Sequence, residues 1–374
     1  MDPFIPDDLP LAPAKTDAAA LLAPLAAASR ALARYDGALM HLRNPGLLLS
    51  PLMNNEAVLS SRIEGTQATL GDLYEADADA EPEEGKRDDI LGIRNYRAAI
   101  QIGIESASQR GLTLSLLREL HQRLMTGVRG GDKRPGAFRN DQSWIGARGC
   151  SIDEARFVPP NPVVMVDALA NWESYVASGW RDPIIGAAIA HAQFEIIHPF
   201  NDGNGRVGRM IIPLMLAQTD VIQSPNFYVS SYFEKHREEY YVRLLAISNH
   251  GAWTEWIIYF CNAVVEQSRE NLERVQTLKS LYDEMSDAFV EATHSQHALS
   301  GLNTFFARPV ITGPQFQRST GITHRPNALK ILNQLEEAGL ITCVRRGSGR
   351  RPSRYAMASV IAAAEGLLTA DARP

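Results

Sequence analysis

Apolar residues recur at three- and four-residue spacing along most of the chain, the spacing of one face of an α-helix. The pattern predicts helices over Ala18–Leu42, Leu52–Ile63, Ile90–Ser108 and Leu114–Met125. Longer ones follow over Val163–Ser178, Ile184–Ile197, Arg206–Gln218, Glu234–Ser248 and Trp253–Leu281. Three stretches break the pattern. The first 16 residues are rich in proline and predict an extended arm lying over the surface. Between Asp77 and Asp89 the polar, proline-broken run DADAEPEEGKRDD predicts a mobile acidic loop. From Arg134 to Pro162, short β-prone runs (Ser143–Ile145, Arg156–Val158) flank a glycine-containing turn and predict an irregular β-hairpin.

Near residue 300 the pattern changes again. GPQFQRSTGI and THRPNALKILNQLEEAGLI predict a helix–turn–helix, and TCVRRGSGRRPSRYAM predicts a basic hairpin after it. Pro309–Met357 carries a net charge of +6, leaving −12 for the remainder, which marks a separate small domain. The whole chain, at 37 Lys+Arg against 43 Asp+Glu, is not a generic polyanion binder. With 374 residues, 45% hydrophobic and 21% charged, disorder is excluded and two or three domains are expected. Cys150, Cys261 and Cys343 are odd in number and have no CxxC spacing, which argues against a disulfide framework or zinc site and for a reducing compartment. No uninterrupted apolar run approaches the roughly 18 residues of a membrane span. MDPFIPDDLPLAPAKTD has no basic region leading into an apolar one. A cytoplasmic protein with no membrane contact is expected.

One stretch concentrates chemistry: His198-Pro199-Phe200-Asn201-Asp202-Gly203-Asn204-Gly205-Arg206-Val207-Gly208-Arg209. Pro199 disfavours a helical conformation at His198, so the preceding helix must stop there and leave an imidazole beside a turn. Gly203 and Gly205 can take positive φ, letting successive N–H groups form an anion nest. A helix beginning near Arg206 adds N-terminal donors and partial positive charge. Arg206 and Arg209, three apart, project near one another. The Asp202 carboxylate suits Mg²⁺, and a neutral His198 suits removal of a proton from an attacking hydroxyl.

HPFNDGNGRVGR resembles the Fic signature HPFx[D/E]GNGRxxR, matching at every fixed position. The resemblance implies a mostly α-helical Fic core with a β-hairpin flap, and an enzyme that transfers AMP from ATP to a Ser, Thr or Tyr hydroxyl of a protein, itself included. It implies His198 as general base and Asp202 as Mg²⁺ ligand. Gly203, Asn204 and Gly205 would hold the α-phosphate, Arg206 and Arg209 the β- and γ-phosphates, with Gly208 in the same binding turn. EAVLSSRIEGT is similar to the inhibitory motif [S/T]xxxE[G/N], filled by Ser60, Glu64 and Gly65. Its place upstream of the core implies an N-terminal inhibitory helix, with Arg209 as partner of Glu64. Ser61 and Glu64 also have capping-box spacing, which would instead begin a helix, but Leu52, Val58, Leu59 and Ile63 place the helix before Glu64 and Gly65 provides a stop. Asn249 is either a nucleotide contact or a helix C-cap ahead of Gly251. His191, Trp253 and Trp256 are read as packing residues.

The expected organisation is an N-terminal helical region over 1–110, with the inhibitory helix at about 52–65, then a Fic core over 111–270 with its flap at 134–162. A linker helix over 271–300 and a C-terminal domain over 301–374 follow. Residues 309–357 resemble a winged helix-turn-helix, with Arg325–Ala338 as recognition helix and Val344–Tyr355 as wing. Arg345, Arg346, Arg350, Arg351 and Arg354 would then meet DNA phosphates; a protein-binding or dimerisation module is the alternative, and a homodimer stays open. Rival chemistries are transfer of another phosphate-linked group, removal of AMP, or nucleotide sensing by a DNA-binding regulator.

Overall fold

The computed structural model describes residues 2–368 except 43, 129–133, 148 and 179. Arg148 of the expected flap and residues 369–374 of the expected C-terminal domain therefore lie outside the described residues. The chain divides into two compact units that interleave along the sequence: Met1–Asp36 with Leu59–Thr66 and Leu91–Arg269, and Gly37–Val58 with Gln67–Ile90 and Glu270–Pro374.

The helices are α1 (Ala18–Leu39), α2 (Pro45–Ile63), α3 (Leu70–Asp77), α4 (Arg87–Arg110), α5 (Leu114–Met125), α6 (Pro162–Ser178), α7 (Pro183–Ile197) and α8 (Asn204–Gln218). They continue as α9 (Ser230–Lys235), α10 (Arg237–His250), α11 (Trp253–Thr293), α12 (Ala298–Ala307), α13 (Gly313–Thr320), α14 (Arg325–Glu337) and α15 (Ala358–Glu365). Among the described residues none is long and apolar enough to cross a membrane.

The first unit is built around α7 and α8. Helix α7 starts at Asp182, whose carboxylate accepts from the Ile184 and Ile185 N–H groups, with Pro183 preset for the first turn. Ala187, Ala188, Ala190 and Ala192 are fully buried, and their small side chains let neighbouring helices approach closely. Two buried indoles use that closeness: Trp172 of α6 donates to the Ala190 carbonyl at 2.8 Å and Trp256 of α11 to that of Ala188 at 2.9 Å. The N-terminal arm is tied down as its composition suggested. Asn171 exchanges two hydrogen bonds with the Leu9 backbone, Gln193 donates to the Asp7 carbonyl and Trp253 to the Asp7 carboxylate.

The second unit carries a three-stranded antiparallel sheet of β1 (Val310–Thr312), β2 (Thr342–Arg345) and β3 (Arg354–Ala356) in the order β1-β3-β2. Tyr355 faces Ile311 on one side and Cys343 on the other, and a bulge interrupts the second pairing between Cys343 and Arg345. Thr312 and Gln315 form a capping box at the start of α13, and α14 buries Ala328, Ile331, Leu332 and Leu335.

Several elements depart from the periodicity. The expected hairpin at 134–162 is reduced to a single bridge, Ile145 to Phe157, with a 3₁₀ turn at Ile152–Glu154 held by Ser151 and Glu154. Glycines and the Pro159-Pro160 pair deny it the donors and the rigidity of a ladder. The expected helix Glu234–Ser248 is two helices broken at His236. Helix α11 runs to Thr293, extended by the pairs Arg269–Glu266, Arg274–Glu270 and Lys279–Asp283, so much of the expected linker helix is its continuation. Helix α3 had no expectation at all: its eight residues are too few to display a helical period. The acidic loop is accordingly shorter, since α4 starts at Arg87.

Candidate functional site: a glycine-rich turn between two buried helices

His198 ends α7 in the left-handed region, at φ 49° and ψ 60°, while its N–H still donates to the Phe194 carbonyl. A non-glycine residue there costs on the order of 1–2 kcal/mol, and neighbouring groups hold it. Arg139, itself buried, donates from Nε to the His198 carbonyl at 2.9 Å and from its other nitrogens to the carbonyls of Asp141, Pro160 and Ile197. Its own N–H donates to Pro199. One guanidinium thus ties the end of α7 to the segment over residues 139–160.

Beyond Pro199 the chain dives inward. Phe200 is fully buried and stacks on His121 at 3.8 Å, with the rings 5° from parallel. His121 donates from Nε2 to the Asp202 carbonyl and accepts the Gly136 N–H at Nδ1, which fixes its neutral tautomer. Burial pushes its pKa down to about 4. Asn204 closes the turn: Oδ1 accepts the Phe200 N–H at 2.8 Å and Nδ2 donates to the Phe200 carbonyl at 2.7 Å. This buried amide is thereby engaged at both ends in shaping the loop, a role the motif alone had not suggested. Gly203 adopts φ 77° and Asn204 begins α8, so the helix starts two residues before the periodicity implied.

Around this turn lies a cavity of about 500 Å³ in the first unit, within the range of small-molecule sites. Glu64, Glu195, His198, Gly205 and Arg209 line it, with Tyr240, Tyr241, Leu244, Leu245 and Ser248 of α10 and Ile145, Gly146, Arg156 and Phe157 of the bridged segment. Burial lowers the His198 pKa to about 4, so the imidazole is neutral near pH 7. Its Nδ1 lies 3.4 Å from the Glu195 carbonyl.

Arg209 is 1% exposed. It donates from Nε to the Ser60 hydroxyl at 2.8 Å, and from Nη2 to the Ser60 carbonyl and the Glu64 carboxylate, both at 2.7 Å. Burial opposes its charge, and Glu64 together with Tyr240, Glu195 and Tyr241 more than offsets that, so the pKa is raised overall. Helix α2 ends at Ile63 and Gly65 sits at φ 98°, so Glu64 follows a helix end, and the capping-box alternative for Ser61 does not arise. The carboxylate passes so close to α8 that a Cβ on Gly205 would collide with it, and a Cβ on Gly208 would collide with Glu195.

Arg206 has a buried Nε without a hydrogen-bond partner, and its Nη2 lies 3.8 Å from the Asp202 carboxylate, which is 38% exposed and accepts the Gly203 N–H. Nη2 of Arg206 also reaches the Met125 thioether at 3.6 Å, which leaves its Nε without a protein partner beside the first turn of α8. Asn249 is exposed near the end of α10, one residue beyond the cavity-lining Ser248, and the αL residue that terminates the helix is Gly251. His191 is buried with both ring nitrogens occupied, by the Gly208 carbonyl and the Tyr240 hydroxyl, in accord with its packing role.

Sequence reasoning missed Arg139, His121 and Glu195. Glu195 has a buried Oε1 without a partner and a pKa pushed up to about 8, chiefly by burial. Its position three residues before His198 was the available signal, and nothing local showed which way it turned.

The fold and the turn define a class: helical proteins with a glycine-rich loop between two core helices. Residues 22–105 match the model of the Fic/DOC family N-terminal region and residues 111–216 that of the Fic/DOC family, together half of the chain. The chain belongs to the Fic/DOC family. It is 24% identical over 202 residues to a protein adenylyltransferase Fic of Drosophila virilis, covering 53% of this chain and 37% of that protein. It is 26% identical over 168 residues to a probable protein adenylyltransferase of Aquifex aeolicus, covering 42% and 52% respectively. The chain thus spans about half or less of these curated relatives. A Fic family protein of Desulfovibrio desulfuricans G20 has a similar fold, at TM-score 0.59 and 20% identity over 91% of this chain and 97% of that one. Fic-1 from C. elegans aligns at TM-score 0.53 and 18% identity over 69% and 73%.

Proposed function

We propose that this chain is a protein adenylyltransferase that moves AMP from ATP to a hydroxyl side chain of a protein, in the cytoplasm, with the core over 111–270 carrying the chemistry. The observation that carries the reading is the neutral His198 beside the glycine-rich turn, with Gly205 and Arg209 of α8 lining the same cavity. The names of the relatives support it.

His198 accepts the proton as the hydroxyl oxygen attacks the α-phosphorus. The bond from that phosphorus to the α–β bridging oxygen breaks and pyrophosphate leaves. A proton on Nδ1, toward the Glu195 carbonyl, leaves Nε2 with the lone pair a base needs. The N–H groups at the start of α8, near Gly203 and Gly205, bind the α-phosphate, while Arg206 and Arg209 bind the β- and γ-phosphates and Gly208 keeps the helix close. Asn204 acts by holding the loop, and Asn249 at the rim of the adenine side. The exposed Asp202 carboxylate fits Mg²⁺, which takes one or two carboxylates and fills its octahedron with phosphate oxygens and water. When bound, the ion neutralises charge developing on the leaving pyrophosphate. The segment over 134–162 aligns the target chain.

Glu64 occupies the guanidinium that the γ-phosphate requires, positioned by Ser60 and by the chain reversal at Gly65. This is the proposed autoinhibition. At 301–374 we propose a winged helix-turn-helix that binds DNA, supported by a three-stranded sheet beside α13 and α14 and by the excess of basic residues.

Parallel incubation with α-labelled and γ-labelled ATP tests the central reading. The α-label should become protein-bound and the γ-label should not, and His198→Ala should cut incorporation by about 10²–10⁴-fold. Protein-bound γ-label, or α-label incorporated equally by His198→Ala, would overturn it.

A further inference from the structure

The arginines assigned to DNA are not all turned to solvent. Arg345, Arg351 and Arg354 line a second cavity, of about 370 Å³ and wholly within the second unit, and its opposite wall is Glu75, Asp79 and Glu81. Arg354 is largely buried and reaches the Glu75 carboxylate at 3.5 Å. Gln315, at the start of α13, fastens the acidic segment from the same side, donating to the Asp77 carbonyl at 3.0 Å and the Asp79 carboxylate at 3.3 Å. Arg346 is engaged elsewhere, with Glu336 at 2.6 Å. The end of α3 and the residues after it, which the sequence alone made a mobile acidic loop from Asp77 on, are therefore held by Gln315 of α13 and by the Arg354–Glu75 pair at β3.

We propose that the acidic segment Glu75–Glu81 is a built-in competitor that masks the basic face of the C-terminal module from duplex DNA. The inference rests on the proposed nucleic-acid role of that module. Guanidiniums already facing carboxylates release few counterions from a phosphate backbone, so DNA gains little until the segment swings away. The Arg354–Glu75 pair is long, and its carboxylate is more than half exposed, which makes the mask displaceable by an array of phosphates rather than permanent.

The test uses the full chain and two polyanions. One variant combines Glu75→Gln, Asp79→Asn and Glu81→Gln. A control removes the same charge from the other unit with Glu238→Gln, Glu239→Gln and Glu255→Gln, all exposed on α10 and α11. Thermal melts establish that each variant is folded. On a heparin column the masking variant should elute at higher salt than both wild type and control. It should also bind a labelled duplex of about 20 base pairs roughly tenfold more tightly by anisotropy at about 50 mM salt. Adding Arg345→Ala and Arg351→Ala should abolish both gains. Elution together with the control overturns the mask. Duplex binding that is equally tight in wild type, variant and control also overturns it and leaves the DNA role standing. Later heparin elution without duplex binding keeps the mask and removes DNA as the partner.

Discussion

Arg209 illustrates how a residue identifiable by motif acquires its meaning from burial. A guanidinium that is 1% exposed and charged must have compensating oxygens, and Ser60 and Glu64 supply them. Removing the carboxylate leaves the Ser60 hydroxyl and carbonyl in place, so the arginine keeps partners and gains room for a phosphate. Glu64→Gly should therefore raise incorporation of α-label by at least about tenfold, since misplaced phosphates can cost about 100-fold in rate. ATP affinity, measured by calorimetry, should rise far less. A variant no faster than wild type on itself or on any protein offered would reduce Glu64 to a structural counter-ion. The motif named Ser60, Glu64 and Arg209, and composition gave their charges. The 2.7 Å separation across 145 positions of sequence came only from the fold.

At the scale of elements, the end of α7 was legible and its support was not. A proline after a histidine announces a helix stop from local sterics, and the helix duly ends at Ile197. What keeps His198 at positive φ is Arg139, 59 positions away, answering the carbonyls of Asp141, Pro160, Ile197 and His198. Arg139→Met keeps the bulk and deletes the donors, leaving these acceptors short of partners in a largely buried place. It should lower the stability of the first unit by about 2–4 kcal/mol in urea. Transfer should fall more than nucleotide binding, because the base and not the phosphate cradle loses its anchor. Unchanged urea midpoints would mean that Phe200 packing alone fixes the loop. The segment over 134–162 failed as a hairpin for a related reason: its order comes from this guanidinium and one bridge rather than from a ladder.

At the scale of the molecule, buried ionisable groups set the response to pH. His121, His191 and His198 have pKa values pushed down to about 4, 3 and 4 by burial. The unfolded chain protonates them first, near 6.5, so stability is lost as pH falls from 6.5 toward 4. Glu195 runs the other way. Its folded pKa of about 8 lies above the ordinary 4.5, so the unfolded chain ionises first and stability declines as pH rises from 4.5 to 8. Three histidines outweigh one glutamate below 6.5 and contribute nothing above it, so thermal midpoints should peak near pH 6.5. Glu195→Gln should flatten the alkaline side and leave the acid side in place. An alkaline slope that survives this substitution would assign it to other groups.

The sequence by itself determined the helical class, the arm and the glycine-rich turn that follows α7, because these depend on periodicity, proline sterics and glycine freedom acting over a few residues. It also determined that a basic module would stand near the C-terminus, since charge is counted without coordinates. The tertiary structure decided which of those charges meet. It paired Glu64 with Arg209, turned Glu195 and Arg139 inward, committed Asn204 to the Phe200 backbone and set Glu75, Asp79 and Glu81 against the C-terminal arginines. Such pairings join residues tens to hundreds of positions apart, and they depend on burial, which makes an unpaired charge costly. Burial is a property of the packed chain and is not carried by any local stretch of it.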